Sequence, residues 1–410
     1  MNEINVQNSH VSLIKGLQAR VREIPEEKVQ MLYFLAYGIY IFFAIVSMTY
    51  VARIFFPKMV VLIDFFCIFL LMLYEADQLL RHGYTWQEWL GLAIAVFFGV
   101  LANLHTQGHY SVFYLLMFCV RRIELKKVAK LTFVMDVGIL AVSWTLALIG
   151  VIPNSTFIGA GYAIGFTYYL IPLDIFYNML VIWMYLREKR FGIVDTVIIL
   201  LVNQFFFQYF HGSLFYGLVI IGVAGVWILK GVSRYKAILK KPIQILGLLL
   251  FPVSAGISFW ASANYLKYPF LLKIPHDMRI RLEFGFYALQ KYPMTLFGES
   301  VWWVGSGLDL DGNAPDASHY NYVDNLFVQN FINYGVIYTI LVLAICILVA
   351  FMLCEEQKYT LLWIVVLMAA HSLFDDAEDK LYFNVFVLLA GYVMLYFNKR
   401  FKNEDSLDAF

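Results

Sequence analysis

Residues 275–293 read PHDMRIRLEFGFYALQKYP, and the proline at each end with Asp277 near the start predicts a helix from Asp277 to Gln290. Its apolar face is Met278, Leu282, Gly285 and Leu289. Arg279 aligns with Glu283 four residues on, as a surface ion pair would. Arg281 instead falls on the face that should be packed, where a buried guanidinium costs several kcal/mol unless a carboxylate or an anionic ligand meets it. Arg281 first and Arg279 second are therefore the candidates for holding an anion. Shortly afterwards comes YNYVDNLFVQNFINYG, residues 320–335. Asn325, Gln329 and Asn333 recur every four residues, a polar stripe on one helix face, and Asp324 stands about a quarter turn away. Asp324 is a candidate proton acceptor, with His319 and His276 as alternatives of suitable pKa. Its other reading is an N-cap, which stabilises a helix by about 1 kcal/mol.

The elements that must position these groups are set by composition. The 410 residues are 61% hydrophobic, 18% aromatic and only 14% charged, against roughly 25% charged in soluble domains. The mean hydropathy is +0.71. With repeated apolar runs of spanning length, this is an all-α polytopic membrane protein. Runs near 31–50, 59–74, 88–104, 110–120, 131–152, 167–186, 192–208, 214–229, 242–263, 326–353, 360–374 and 381–398 make about 12 transmembrane helices, the fourth being short.

Orientation follows from the basic loops: Arg121, Arg122, Lys126, Lys127 and Lys130; Arg187, Lys189 and Arg190; Lys230, Arg234, Lys236, Lys240 and Lys241; and the tail Lys399, Arg400 and Lys402. In a twelve-span scheme all lie on the side of the N-terminal segment, which carries Lys15, Arg20, Arg22 and Lys28, so both termini are expected in the cytoplasm. The chain then divides into an N-terminal segment 1–30, helices one to nine over 31–263, a large external loop 264–325, helices ten to twelve over 326–398 and a cytoplasmic tail 399–410. Ile14, Leu17, Val21 and Ile24 recur at helical spacing against Lys15, Arg20 and Arg22, as in an interfacial amphipathic helix or a solvated tail. No cleavable signal peptide is evident.

Elsewhere the signals are weaker. Asp64, Asp136 and Asp174 fall inside predicted spans, where an ionisable group is a functional candidate. His371 precedes Ser372 and the Asp375–Asp376 pair, and either joins the site or hydrogen-bonds locally. DLDGN at 309–313 has the composition of a calcium loop without its spacing or terminal Glu, so no metal is expected there. Trp302, Trp303, Tyr320 and Tyr322 suit either a sugar-stacking platform or an interfacial belt. Cys67, Cys119, Cys346 and Cys354 lie in or beside apolar runs with no pairing spacing and read as buried small hydrophobes. Neither a Rossmann fingerprint nor a P-loop occurs.

Several stretches together resemble the Wzy family of O-antigen and capsular polysaccharide polymerases, itself similar in outline to the O-antigen ligases. RLEFGFYALQKYPMTLFG is similar to that family's Arg-led loop helix followed by Pro and Gly. YNYVDNLFVQNFINYGVI is similar to its Asp-Asn start of a late span, and FDD with YFN (Phe374, Asp375, Asp376, Tyr382, Phe383, Asn384) follows in the same order. AIGFTYY at 163–169 resembles the region of a Gly-Phe pair, although Ala163 and Ile164 stand where an Arg often precedes it. At the start of a middle span, His211, Gly212, Ser213 and Leu214 stand where many members have Ser-Arg. The resemblance implies a GT-C-like membrane glycosyltransferase that joins undecaprenyl-pyrophosphate-linked oligosaccharide repeats outside a bacterial cell membrane. It also implies work beside the pathway's flippase and chain-length regulator, with no cofactor and no nucleic acid. Asp324 or His319 would act as base; Arg281, Arg279, His276, Asn325, Gln329 and His211 would bind pyrophosphate and sugar. A flippase or other transporter and a ligase-like enzyme are the competing expectations. A flippase should spread its charges along a central cavity, whereas this chain concentrates them in one loop.

Overall fold

The computed structural model describes residues 16, 18–55, 60–105, 111–157, 161–232, 240–309, 311–316 and 319–401. Ile14, Leu17, Arg234, Lys236 and Lys402 lie outside the described residues, as does most of the tail. The chain is a bundle of helices: α1 (Glu26–Val46), α2 (Tyr50–Phe55), α3 (Val60–His82), α4 (Trp86–His105), α5 (Ser111–Cys119), α6 (Leu125–Leu148), α7 (Ile171–Leu186), α8 (Ile193–Phe210), α9 (Ser213–Val232), α10 (Lys240–Ala263), α11 (His276–Lys291), α12 (Leu326–Glu355), α13 (Tyr359–His371) and α14 (Leu389–Phe401). A two-stranded hairpin, β1 (Thr156–Phe157) with β2 (Gly161–Tyr162), lies between α6 and α7.

Among the described residues seven helices (α1, α4, α6, α8, α9, α10 and α12) are long and apolar enough to cross a membrane. The molecule is therefore an all-helical, multi-pass membrane protein. Its lipid-facing surface follows from the same chemistry: Leu62, Phe65, Leu104, Val134, Leu148, Ile193 and Val194 are each more than three-fifths exposed, which only an apolar solvent tolerates at this density. Each of the twelve apolar runs contains one helix, but several are short. The nine residues of α5 reach about 14 Å and the thirteen of α13 about 20 Å, both less than a hydrocarbon core of about 30 Å.

Three departures from the sequence reading shape the site. First, α12 is broken at Gly335, whose φ of 81° and ψ of −175° separate a polar piece, 326–334, from a long apolar one. Residues 295–299 lie against the break and satisfy it: Val336 N donates to Thr295 O (3.1 Å), Ile337 N to Leu296 O (3.2 Å) and Glu299 N to Ile332 O (2.9 Å). Second, 372–388, expected as two helix ends and a short turn, is buried irregular chain with two 3-10 turns. Third, Arg121 is not a free loop charge. It is fully buried, paired with Glu75 (2.7 Å) and Glu88 (3.0 Å), while Arg122 also reaches Glu88 (2.7 Å). This cluster ties α3, α4 and the turn after α5 together at the end of the bundle opposite the 264–325 loop.

Candidate functional site

Helix α11 begins after Pro275, which cannot donate a backbone hydrogen bond and suits the start of a helix. It carries Arg281 toward the start of α12, where Arg281 Nε lies 3.9 Å from Asp324 Oδ2. The cap of α12 is the next residue. Asn325 Oδ1 accepts from Val328 N (3.1 Å), and Asn325 Nδ2 donates to Ser258 Oγ (3.0 Å) and Leu373 O (2.9 Å). Asn325 is thus buried and holds α10, α12 and the 372–388 segment together. Asp324 is relieved of capping. Burial pushes its carboxyl up to about 7; Arg281 opposes this, and the charges of Asp375 and Asp376 add to it. Such a group exchanges protons near neutrality, as a general base must. Tyr168 and Tyr320 stand by it, their hydroxyls raised by burial and by neighbouring charge including that of Asp324.

Below the loop the polar stripe borders a cavity of about 250 Å³. Gln329, Asn330 and Asn333 line it with Trp302, Trp303, Tyr322, Asp376, Asp379 and Lys380. Most of its polar groups are fixed: Trp303 Nε1 donates to Asn333 Oδ1 (2.8 Å), Asn330 Nδ2 to Asp379 Oδ2 (2.7 Å), and both Tyr322 OH (2.5 Å) and Lys380 Nζ (2.6 Å) to Asp376 Oδ2. Burial opposes charge on Asp376, but Lys380 and the hydrogen bonds from Tyr322 and Gln329 hold its carboxyl below the usual range. Asp379 is driven the other way, by burial, to about 6. Phe113 and Tyr114 of α5 also line the cavity, so the helix too short to span leaves the space that the cavity fills.

Beside the cavity the chain buries a second group of charges. His371 Nδ1 lies 2.6 Å from Glu378 Oε1, and Glu378 Oε2 accepts from Asn384 Nδ2 (2.5 Å). Asp375 accepts from Ala377 N (2.9 Å). Asp174 of α7 completes the group, with ligand atoms of Asp174, His371 and Asp375 all within 4.8 Å of one another. Burial raises the Glu378 carboxyl, with His371 opposing. Asp136 is paired separately, accepting from Asn178 Nδ2 (2.9 Å), while Asn178 Oδ1 accepts from Val385 N (3.2 Å).

The structure therefore brings together Arg281 and Asp324, while Gln329 lies further along α12 in the cavity wall. The remaining expected residues lie elsewhere. Arg279 turns to Leu272 O (3.5 Å), and Glu283, its expected partner, accepts from Tyr265 OH (3.1 Å). His319 is an exposed side chain 3.8 Å from Asp316. His276 is exposed at the first turn of α11. His211 ends α8 in the left-handed region (φ 53°), its exposed ring against Phe207. His319 is thus placed against Asp316 and His211 against Phe207 rather than at Asp324. The DLDGN turn closes on itself: Asp309 accepts from Asp311 N and Asn313 N (both 2.8 Å). Sequence reasoning missed Lys380, Glu378, Asp379 and Asn330, although four acids in the five residues 375–379 of an apolar chain, followed by Lys380, was an available signal. No protein-family model matches the chain, and neither do curated proteins or solved structures.

Proposed function

We propose that this protein is a membrane polysaccharide polymerase that joins polyprenyl-pyrophosphate-linked oligosaccharide repeats at the loop face. The observation carrying this reading is the Arg281–Asp324 pair, 3.9 Å apart at the start of α12, the helix whose first turns line a polar, aromatic-walled cavity. In the reaction the acceptor hydroxyl attacks the anomeric carbon of the donor, the bond from that carbon to the pyrophosphate oxygen breaks, and the hydroxyl proton passes to Asp324. Arg281 balances charge on the departing pyrophosphate, for which its planar fork is suited. Protonation of Asp324 loosens its hold on Arg281 as the leaving group needs it. Trp302 and Trp303 offer faces for sugar rings, and Gln329 and Asn330 supply the amides that hydroxyls pair with. Twelve spans with both termini in the cytoplasm, in a bacterial cell membrane, belong to the same proposal, as do a flippase and a chain-length regulator as pathway partners.

One observation favours a second reading, a lipid-linked oligosaccharide flippase. Helix α12 is discontinuous at Gly335, and broken helices are common in transporters. A strain lacking the protein separates the two. Under the polymerase reading it accumulates single repeat units on lipid at the outer face and loses long polymer, and Arg281→Ala and Asp324→Asn, both still reaching the membrane, fail to restore chain extension. Repeat units trapped on the cytoplasmic face would establish the flippase instead.

A further inference from the structure

We infer that Asp174, His371 and Asp375 form a binding site for one divalent transition-metal ion that accepts mixed carboxylate and imidazole ligands, Mn²⁺ or Zn²⁺. The three residues come from α7, the end of α13 and the irregular segment after it, all buried, and each offers a ligand atom within 4.8 Å of the others. Within this group, Asp174 Oδ1 and His371 Nε2 are both buried with no hydrogen-bond partner among the described residues. An unpaired carboxylate oxygen and an unpaired imidazole nitrogen in one buried pocket are each costly, and a cation satisfies both.

The surroundings are built as a metal site's are. Glu378 holds His371 Nδ1 at 2.6 Å, which leaves Nε2 to bind the ion, and Asn384 holds Glu378 in turn. This carboxylate–histidine arrangement is the usual outer support of a metal-bound imidazole. The backbone N–H of Ala377 orients Asp375. Rings of Tyr177 (5.3 Å) and Phe215 (5.1 Å) pack on His371 and close the apolar side. Asp376, next in sequence to Asp375, lines the polar cavity.

Donor chemistry narrows the choice: two carboxylates and one imidazole suit Mn²⁺ or Zn²⁺ better than Mg²⁺ or Ca²⁺, which prefer all-oxygen shells. Donors about 2.1 Å from a tetrahedral ion stand about 3.4 Å apart, so the side chains draw in slightly on binding. The charge inventory agrees. Among the described residues, Asp174, Asp324, Asp375, Asp376, Glu378 and Asp379 gather around the cationic groups Arg281, Lys380 and His371. A dication offsets that excess, and would add to the positive charge near Arg281 if a pyrophosphate enters.

The test uses the full chain in detergent, stripped with EDTA and dialysed against Mn²⁺ or Zn²⁺, with bound metal counted by mass spectrometry. The wild type should retain about one ion per chain and unfold at a higher temperature with metal than without. Asp174→Asn, which keeps the side-chain shape and removes a buried charge, should bind at least about tenfold more weakly, and Glu378→Gln about 10–100-fold more weakly as loss of the outer support does. Bound Mn²⁺ should show a nitrogen hyperfine coupling that disappears in His371→Gln. Asp309→Asn, in the surface turn, should bind as the wild type does. Retention below about a tenth of an ion per chain, or an Asp174→Asn protein that binds like the wild type, overturns the site and leaves a protonated hydrogen-bond network in its place. The count needs no turnover, so it stands or falls separately from the polymerase reading.

Discussion

Arg281 faces a carboxyl, that of Asp324, which burial raises to about 7, and adjacent residues take different roles there. Asn325 caps α12 while Asp324 faces Arg281. Asp and Asn cap almost equally well, so the sequence indicates that one of the two does so and leaves open which. Arg281 was legible, because a guanidinium on the packed face of a helix needs an anionic neighbour. The histidines were not, because a suitable pKa carries no information about distance. Stability should report the environment of Asp324. Its folded pKa, about 7, lies above the unfolded value near 4, so between those values the folded state binds more protons than the unfolded one. Stability conferred through this group is then present at low pH and lost as pH rises from about 4 to about 7. The groups around it are Arg281, Asp375, Asp376 and Lys380, with Tyr168 and Tyr320. Asp324→Asn should therefore raise the melting temperature more at pH 8 than at pH 5 while abolishing chain extension. An equal shift at both values would mean that Asp324 is ionised throughout.

Among the elements, α12 departs furthest from its sequence pattern. The run 326–353 reads as one span, and glycine is common in membrane helices, so Tyr334–Gly335 alone gave no warning of a break. The cause is tertiary: residues 295–299 supply the hydrogen bonds that the interrupted helix lacks. Gly298 (φ 85°) and Gly335 (φ 81°) face each other there, and a Cβ on Gly335 would lie 2.4 Å from Gly298 N and 2.5 Å from Leu296 O. The break sets the polar stripe above the apolar piece and so forms one wall of the cavity. Gly335→Ala should destabilise the protein by about 1–3 kcal/mol from backbone strain alone, with the overlap adding to it, whereas Gly256→Ala in α10, with nothing within 4 Å of the added carbon, should be neutral or slightly stabilising. Thermal unfolding in detergent compares the two, and a Gly335→Ala protein as stable as the wild type would show that residues 295–299 can withdraw from the break.

At the scale of the whole molecule, polar chemistry is gathered at the two ends of an apolar bundle, and the ends differ. One holds Arg121 and Arg122 against Glu75 and Glu88; the other holds the acid-rich site beneath the loop. The apolar runs made the helical class legible, since length and hydropathy suffice for that. The meeting of α7, α11, α12 and the 372–388 segment was not, because contacts between elements far apart in sequence leave no periodic trace. Orientation rests on Lys and Arg bias, and burial of Arg121 removes one charge from that count while leaving Lys126, Lys127 and Lys130. The remaining bias keeps the proposed orientation, with the loop outside the cell, and a labelling experiment can check it. Three of the four cysteines are buried and Cys346 is half-buried, so background reaction with a membrane-impermeant maleimide should be low. Ala314→Cys, in the exposed loop, should label in intact cells; Lys189→Cys, in the exposed turn between α7 and α8, should label only after permeabilisation. The reverse pattern would put Arg281 and Asp324 in the cytoplasm, where the donors of the proposed reaction are assembled and not polymerised.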